Sequence, residues 1–389
     1  MFFIVYFGTV LGFCLYSWWH LYQAFWRRHW IAAVVAMVVM LLLTFLPILN
    51  RMFFRRGGLP ALELLAWTWL ALIFWFSCTQ LLADAWNLLL TLGGMVAKTV
   101  APNESIQSTL LLLRLPALDS AVAGLSLVLV AAIWGVIEVG MVRLKTVEVY
   151  SEKVPLEADG YRIALVSDLH FHHGFQSVIL HKAMDCIREA EPHLLLSAGD
   201  FLDGAISPRT ERLFDQLASV TVPDGKYGVL GNHDSYSGAE DSMLAHVRAG
   251  FEVLRQQGVD IKPWLRLYGI DDPAVWRRQG RQGEAPELPL VSEEQFGIFL
   301  AHQPRRPEIA DQQNYDLMLS GHTHGGQIFP FQLLVRLEHP WKAGSPIAFP
   351  GGMTLYISPG TGFWGPPFRV LARPEVTLLV LRSTSTPVF

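Results

Sequence analysis

The residues best suited to chemistry lie in Leu319-Ser320-Gly321-His322-Thr323-His324-Gly325-Gly326, near the end of an apolar run that begins at Tyr315. Side chains alternate along an extended backbone, so His322 and His324 point to one side where a buried strand gives way to a glycine turn. That arrangement can grip a metal ion. Four further clusters each follow a short apolar run: Ser167-Asp168-Leu169-His170 after 162–166, Ala198-Gly199-Asp200 after 193–197, Gly231-Asn232-His233-Asp234 after 227–230, and His302 after 296–301. Ligands of open α/β sheets bind outside the carboxyl ends of the strands, so one rim would gather all five clusters. Carboxylates, an amide oxygen and neutral imidazoles together suit divalent manganese, iron or zinc.

The series Asp-x-His, Gly-Asp, Gly-Asn-His-Asp, His, Gly-His-x-His resembles the calcineurin-like metallophosphoesterase superfamily over about residues 155 to 385. The resemblance implies that Asp168, His170 and His324 hold one divalent ion, that Asn232, His302 and His322 hold a second, and that Asp200 bridges the two. It also implies an α/β fold, a four-layer α/β/β/α sandwich. Two such ions roughly 3.5 to 4 Å apart polarise a phosphoryl group and lower the pKa of a bridging water, so that hydroxide is the nucleophile. His233 would stabilise the charge or protonate the departing oxygen, with Asp234 fixing its tautomer. His172, next to His173, and Arg369 are candidate contacts to substrate phosphate; a solvated loop pair and a structural salt bridge are the alternatives. Gly269-Ile270-Asp271-Asp272 and the segment from Ser358 to Arg369 resemble elements of a membrane-linked branch of the superfamily.

The elements that must position these residues are short β-type runs alternating with helical patterns at 176–189, 208–217 and 241–257, which implies parallel strands. The 389 residues are 51% hydrophobic and only 16% charged, too apolar for an ordinary soluble enzyme. The excess is concentrated in four stretches, 3–25, 30–49, 61–82 and 121–142, each near the roughly 20 apolar residues that a bilayer core requires. The expected organisation is a transmembrane domain over 1–145 and a metallophosphoesterase domain over 146–389, an integral multi-pass protein. Trp18, Trp19, Trp26 and Trp30 look like interfacial anchors, and the distribution of Lys and Arg slightly favours a cytoplasmic catalytic domain. Glu63 and Glu138 are expected to lie near an interface, facing water. The net charge of −4 and the lack of a basic stripe give no support for nucleic-acid binding. The three cysteines show no paired spacing, and oligomeric state is left open.

The functional expectation is a membrane-bound phosphoesterase acting on a phosphodiester, pyrophosphate or phosphomonoester. Tethering points to membrane lipids as partners and to a lipid-linked substrate. Two other readings stay open: a transporter or sensor regulated by the phosphoesterase-like domain, and a membrane-tethered protein phosphatase.

Overall fold

The computed structural model describes residues 2–53, 59–100, 104–172, 176–281 and 287–384; His173 lies outside them. The chain divides into two compact units, Met1–Trp134 and Gly135–Phe389.

The first unit is helical because its sequence is a succession of Leu, Val, Ile and Ala runs with few charges. It contains α1 (Phe2–Leu21), which continues into a π-helical turn at Tyr22–Trp26, then α2 (Trp30–Phe53), α3 (Pro60–Val100), α4 (Glu104–Leu112) and most of α5 (Ala117–Val139). Three helices among the described residues are long and apolar enough to cross a membrane: Trp30–Asn50, Ala61–Val100 and Ala117–Val139. The expected span at 3–25 is not among them. The helix there, α1 with the π-helical turn that continues it, runs from Phe2 to Trp26. Helix α3 runs well past the expected end at 82, through Asp84 and Asn87. Those polar side chains find partners: Tyr16 Oη donates to Asp84 Oδ2 at 2.6 Å, and the Asn87 amide exchanges hydrogen bonds of 2.9 and 3.0 Å with the Leu115 backbone.

The second unit holds two six-stranded sheets. The first runs in the order β1 (Arg143–Ser151), β12 (Glu375–Ser383), β2 (Tyr161–Val166), β3 (Leu194–Ser197), β4 (Lys226–Gly228), β5 (Glu252–Val253). The second runs β10 (Pro346–Ala348), β11 (Thr354–Ile357), β9 (Leu317–Ser320), β8 (Phe296–Ala301), β7 (Leu265–Ile270), β6 (Gln257–Lys262). Strands β2, β3 and β4 are mutually parallel, as are β7, β8 and β9, so each set ends on one edge of its sheet.

The period of two along the strands sorts side chains between layers. Ile163, Leu165, Leu196, Ile298, Leu300 and Leu319 meet between the sheets. Ala164 and Val166 instead face Ile187 of α6 (Gln176–Ala190), Phe214 of α7 (Pro208–Ala218) and Ala245 of α9 (Ala239–Arg248). On the far face of the second sheet, Phe299, Met318 and Leu355 pack with Ala310 of α11 (Pro307–Gln312). This is the α/β/β/α sandwich the motif series implied. The expected helix at 241–257 stops at Arg248, because Gly250 takes φ +85° and Leu254 is drawn into the core between the sheets. Glu138 also differs from expectation: it is 5% exposed, and its carboxylate accepts hydrogen bonds from the Leu371 and Ala372 amides at 3.2 and 2.9 Å.

Candidate metal centre

All seven residues implied as metal ligands converge beyond the strand ends. Asp168 and His170 follow β2, Asp200 follows β3, and His302 follows β8. Asn232 opens the short helix α8 (Asn232–Ser237) beyond β4, while His322 and His324 lie in the turn after β9. Ligand atoms of Asp168, His170 and His324 lie within 4.8 Å of one another, and so do those of Asp200, His302 and His322. Asn232 joins the second group, its Oδ1 3.1 Å from His302 Nε2. The same oxygen of Asp200, Oδ2, is 3.1 Å from His302 Nε2 and 3.7 Å from His170 Nε2. It therefore stands between the two groups, in a bridging position.

Backbone strain is concentrated here. Asp168, His170, Asp200, His322 and His324 all have positive φ, between 44° and 70°, a region that costs L-residues energy and is held only by surrounding structure. Glycines make the room. A Cβ on Gly231 would collide with Asp200 Oδ1, and one on Gly321 with the Ser167 hydroxyl and the Asp168 carboxylate. These positions require glycine for close approach to the ligands.

The donor chemistry fits divalent metal ions. His302 Nδ1 lies 2.7 Å from the Ala198 carbonyl, so it is the N–H donor, and a neutral His302 directs the Nε2 lone pair at Asp200 Oδ2 and Asn232 Oδ1, both 3.1 Å away. Three acceptors facing one another demand positive charge. Burial alone would lower the pKa of His302, but Asp200 and Asp168 raise it to about 10, which expresses the same demand. Burial and cationic neighbours hold His322 and His324 well below the ordinary imidazole value, the neutral state a ligand needs. Asp200, although buried, is held well below the carboxylate range by His302 and His233.

His233 projects at the mouth of the centre, 4.9 Å ring to ring from His170, with its backbone N–H on Asp200 Oδ1 at 2.8 Å. Burial pulls its pKa down, but Asp200 and Asp203 outweigh this and raise it. Its partner is not the one expected. Asp234 is fully buried and accepts from the backbone N–H groups of Gly231, Leu202 and Phe201 at 2.8, 3.0 and 3.2 Å, tying the Asp200 and Asn232 loops together. With its oxygens so occupied, Asp234 does not orient the His233 ring. Asp203 does, with Oδ1 3.5 Å from His233 Nδ1 and Oδ2 3.6 Å from His170 Nδ1. Its only signal in the sequence is a second carboxylate three residues beyond Asp200.

Arg369 is likewise corrected. It is fully buried, and its guanidinium donates to the carbonyls of Gly362, Pro359 and Ala372 at 2.6 to 2.9 Å, so it has no free N–H fork for a substrate phosphate. Burial lowers its pKa to about 10, which still leaves it charged at neutral pH. It staples the loop 359–372 behind the metal centre. His172 is half-buried against Gly204, outside the groups of metal-ligand atoms. Asp272, in the acidic turn, caps α10 (Pro273–Arg278) through Ala274 N at 2.7 Å, and Asp271 pairs with Arg255 at 2.8 Å.

A two-sheet sandwich with this histidine and carboxylate cluster at its strand ends defines a metal-dependent phosphoester hydrolase. Residues 161–326 match the calcineurin-like phosphoesterase family. A transmembrane protein with metallophosphoesterase domain from Danio rerio is 30% identical over 311 residues, covering 75% of this chain and 68% of that protein. An uncharacterized metallophosphoesterase from Aquifex aeolicus is 31% identical over 250 residues, 63% of this chain and 94% of that one. For the metallophosphoesterase Cj0846 of Campylobacter jejuni the figures are 32% over 248 residues, 61% and 64%, so the alignment spans less than two thirds of that relative. The chain belongs to the calcineurin-like phosphoesterase family.

Proposed function

We propose that this chain is a dinuclear, membrane-bound phosphoesterase that hydrolyses a phosphodiester, pyrophosphate or phosphomonoester bond on a lipid-linked substrate. Residues 1–145 serve as its membrane domain and 146–389 as its catalytic domain. The observation that carries the catalytic part is the Asp200 carboxylate, whose one oxygen faces both ligand groups. Divalent ions, when bound, supply Lewis acidity toward a phosphoryl group and an activated water. Asp168, His170 and His324 would hold one ion, Asn232, His302 and His322 the other, with Asp200 shared. His233 holds its proton at the mouth, where it donates to a phosphoryl or departing oxygen, and Asp203 keeps the ring turned to that task. A cavity of about 280 Å³ opens beside His302, lined by Trp276, Arg277, Arg305 and Arg306, and gives room for a charged leaving group. The membrane part of the reading is supported by the three long apolar helices, which would confine the enzyme to the plane where a lipid-linked substrate lives.

The test is the full-length protein in nanodiscs, stripped with chelator and reloaded with manganese, iron or zinc. Hydrolysis of bis-p-nitrophenyl phosphate that needs added metal supports the catalytic reading. Absence of turnover with every metal and every phosphoester would favour a sensor or transporter. Faster turnover of phosphopeptides than of phosphorylated lipids would remove the lipid assignment.

A further inference from the structure

The loop that carries His322 and His324 leads into α12 (Phe331–Glu338), a helix with two unlike faces. Gln332, Val335 and Arg336, with His339 just beyond, turn toward a cavity of about 270 Å³. Leu333, Leu334 and Leu337, at helical spacing on the other side, are 58, 52 and 83% exposed. The cavity collects Arg143, Lys145, Arg336, Lys342 and Arg373, and Thr323 from between the two metal-loop histidines forms part of its wall. Among the described residues, Glu375 is the one carboxylate ion-paired with any of the five cations, to Arg143 at 3.1 Å. Lys145 and Arg373 donate to the backbone carbonyls of Gly344 and Met141, contacts that leave their charge uncompensated. Arg143 Nε is buried without a hydrogen-bond partner.

A concave cluster of cations backed by a helix with outward leucines fits an anionic amphiphile: phosphate in the cavity, acyl chains along the helix. We propose that α12 lies in the interfacial layer of a bilayer, with Leu333, Leu334 and Leu337 among acyl chains, and that the cationic cavity behind it holds the phosphate of an anionic phospholipid. None of the seven metal-ligand residues lines this cavity, although His339 at its edge stands 5.5 Å ring to ring from His322. Because Thr323 belongs to its wall, occupancy braces the loop that presents His322 and His324. The proposal stands whether or not the substrate itself is lipid-linked.

The experiment uses the full chain in nanodiscs of phosphatidylcholine with or without phosphatidylglycerol, and two readouts independent of catalysis. A nitroxide on Leu337→Cys, in a background with the native cysteines replaced by serine, should be accessible to oxygen and shielded from a water-soluble nickel chelate. The same label on Val247→Cys of α9 should show the reverse, and an aqueous signature at both positions overturns the insertion of α12. In detergent, native mass spectrometry should show phosphatidylglycerol binding about tenfold more tightly than phosphatidylcholine, with the preference lost in the Arg336→Glu/Lys342→Glu double variant. Equal binding of the two lipids, or an unchanged preference in the double variant, overturns the cavity assignment. Displacement of phosphatidylglycerol by equimolar inorganic phosphate would reassign the cavity to a free anion and overturn the lipid proposal.

Discussion

Asp200 and Asp203 sit three residues apart on one loop and carry different duties. Asp200 faces both ligand groups, so Asp200→Asn should abolish phosphoester hydrolysis and lower bound metal, read by elemental analysis of the purified protein. Asp203 acts through His233 and His170. Its replacement by Asn should leave metal content near normal, reduce kcat about 10- to 100-fold, and move the pH profile, as loss of an outer carboxylate–histidine contact does. Arg369 gives the contrasting case. Arg369→Met strands several carbonyls around an apolar group and should cost roughly 3 to 5 kcal/mol of stability, measured by thermal melting. Had that side chain gripped phosphate, the variant would instead fold normally and show a raised KM.

At the scale of elements, the strand ends deliver the ligands, and the turns after them carry the strain. Gly231→Ala adds a methyl where Asp200 Oδ1 already lies, so the α8 turn must move away from the Asp200 loop. Metal binding and activity should both fall while far-ultraviolet circular dichroism stays unchanged. Helix α9 places His246 inside the core, against Phe201 at 4.2 Å between ring centroids. Burial lowers its pKa despite the opposing influence of Asp234. Its folded pKa lies below that of the unfolded chain, so below about pH 6.5 the unfolded state takes up the proton first, and stability falls as pH drops. The limiting slope is roughly 1.4 kcal/mol per pH unit for this one proton. His246→Phe should flatten the loss of melting temperature between pH 6.5 and 5 relative to the parent.

For the whole molecule, a centre in which buried acceptors face one another is stabilised by the cations it binds. Chelation should lower the melting temperature, and reloading at about 1,000 times the dissociation constant should restore about 4 kcal/mol of stability. Much of this was legible in the chain itself. The five motifs announced their metal chemistry because few other tasks place Asp, Asn and His directly after buried apolar strands, and the period-two pattern announced the sheets. The run of apolar residues announced helices able to span a bilayer, though not their ends: Asp84 and Asn87 look like a break until Tyr16 and Leu115 are seen to satisfy them. The partner of His233 was not legible either: Asp234 is its neighbour in sequence, and only packing shows that backbone amides have already claimed that carboxylate while Asp203 lies beside the ring. Likewise Arg369, an ordinary phosphate-binding residue by type, is consumed by carbonyls brought round by the closing loop. Residue type and spacing determine which groups are available for chemistry. Which of them remain free is decided by the tertiary structure, since a hydrogen bond made to one partner is unavailable to another.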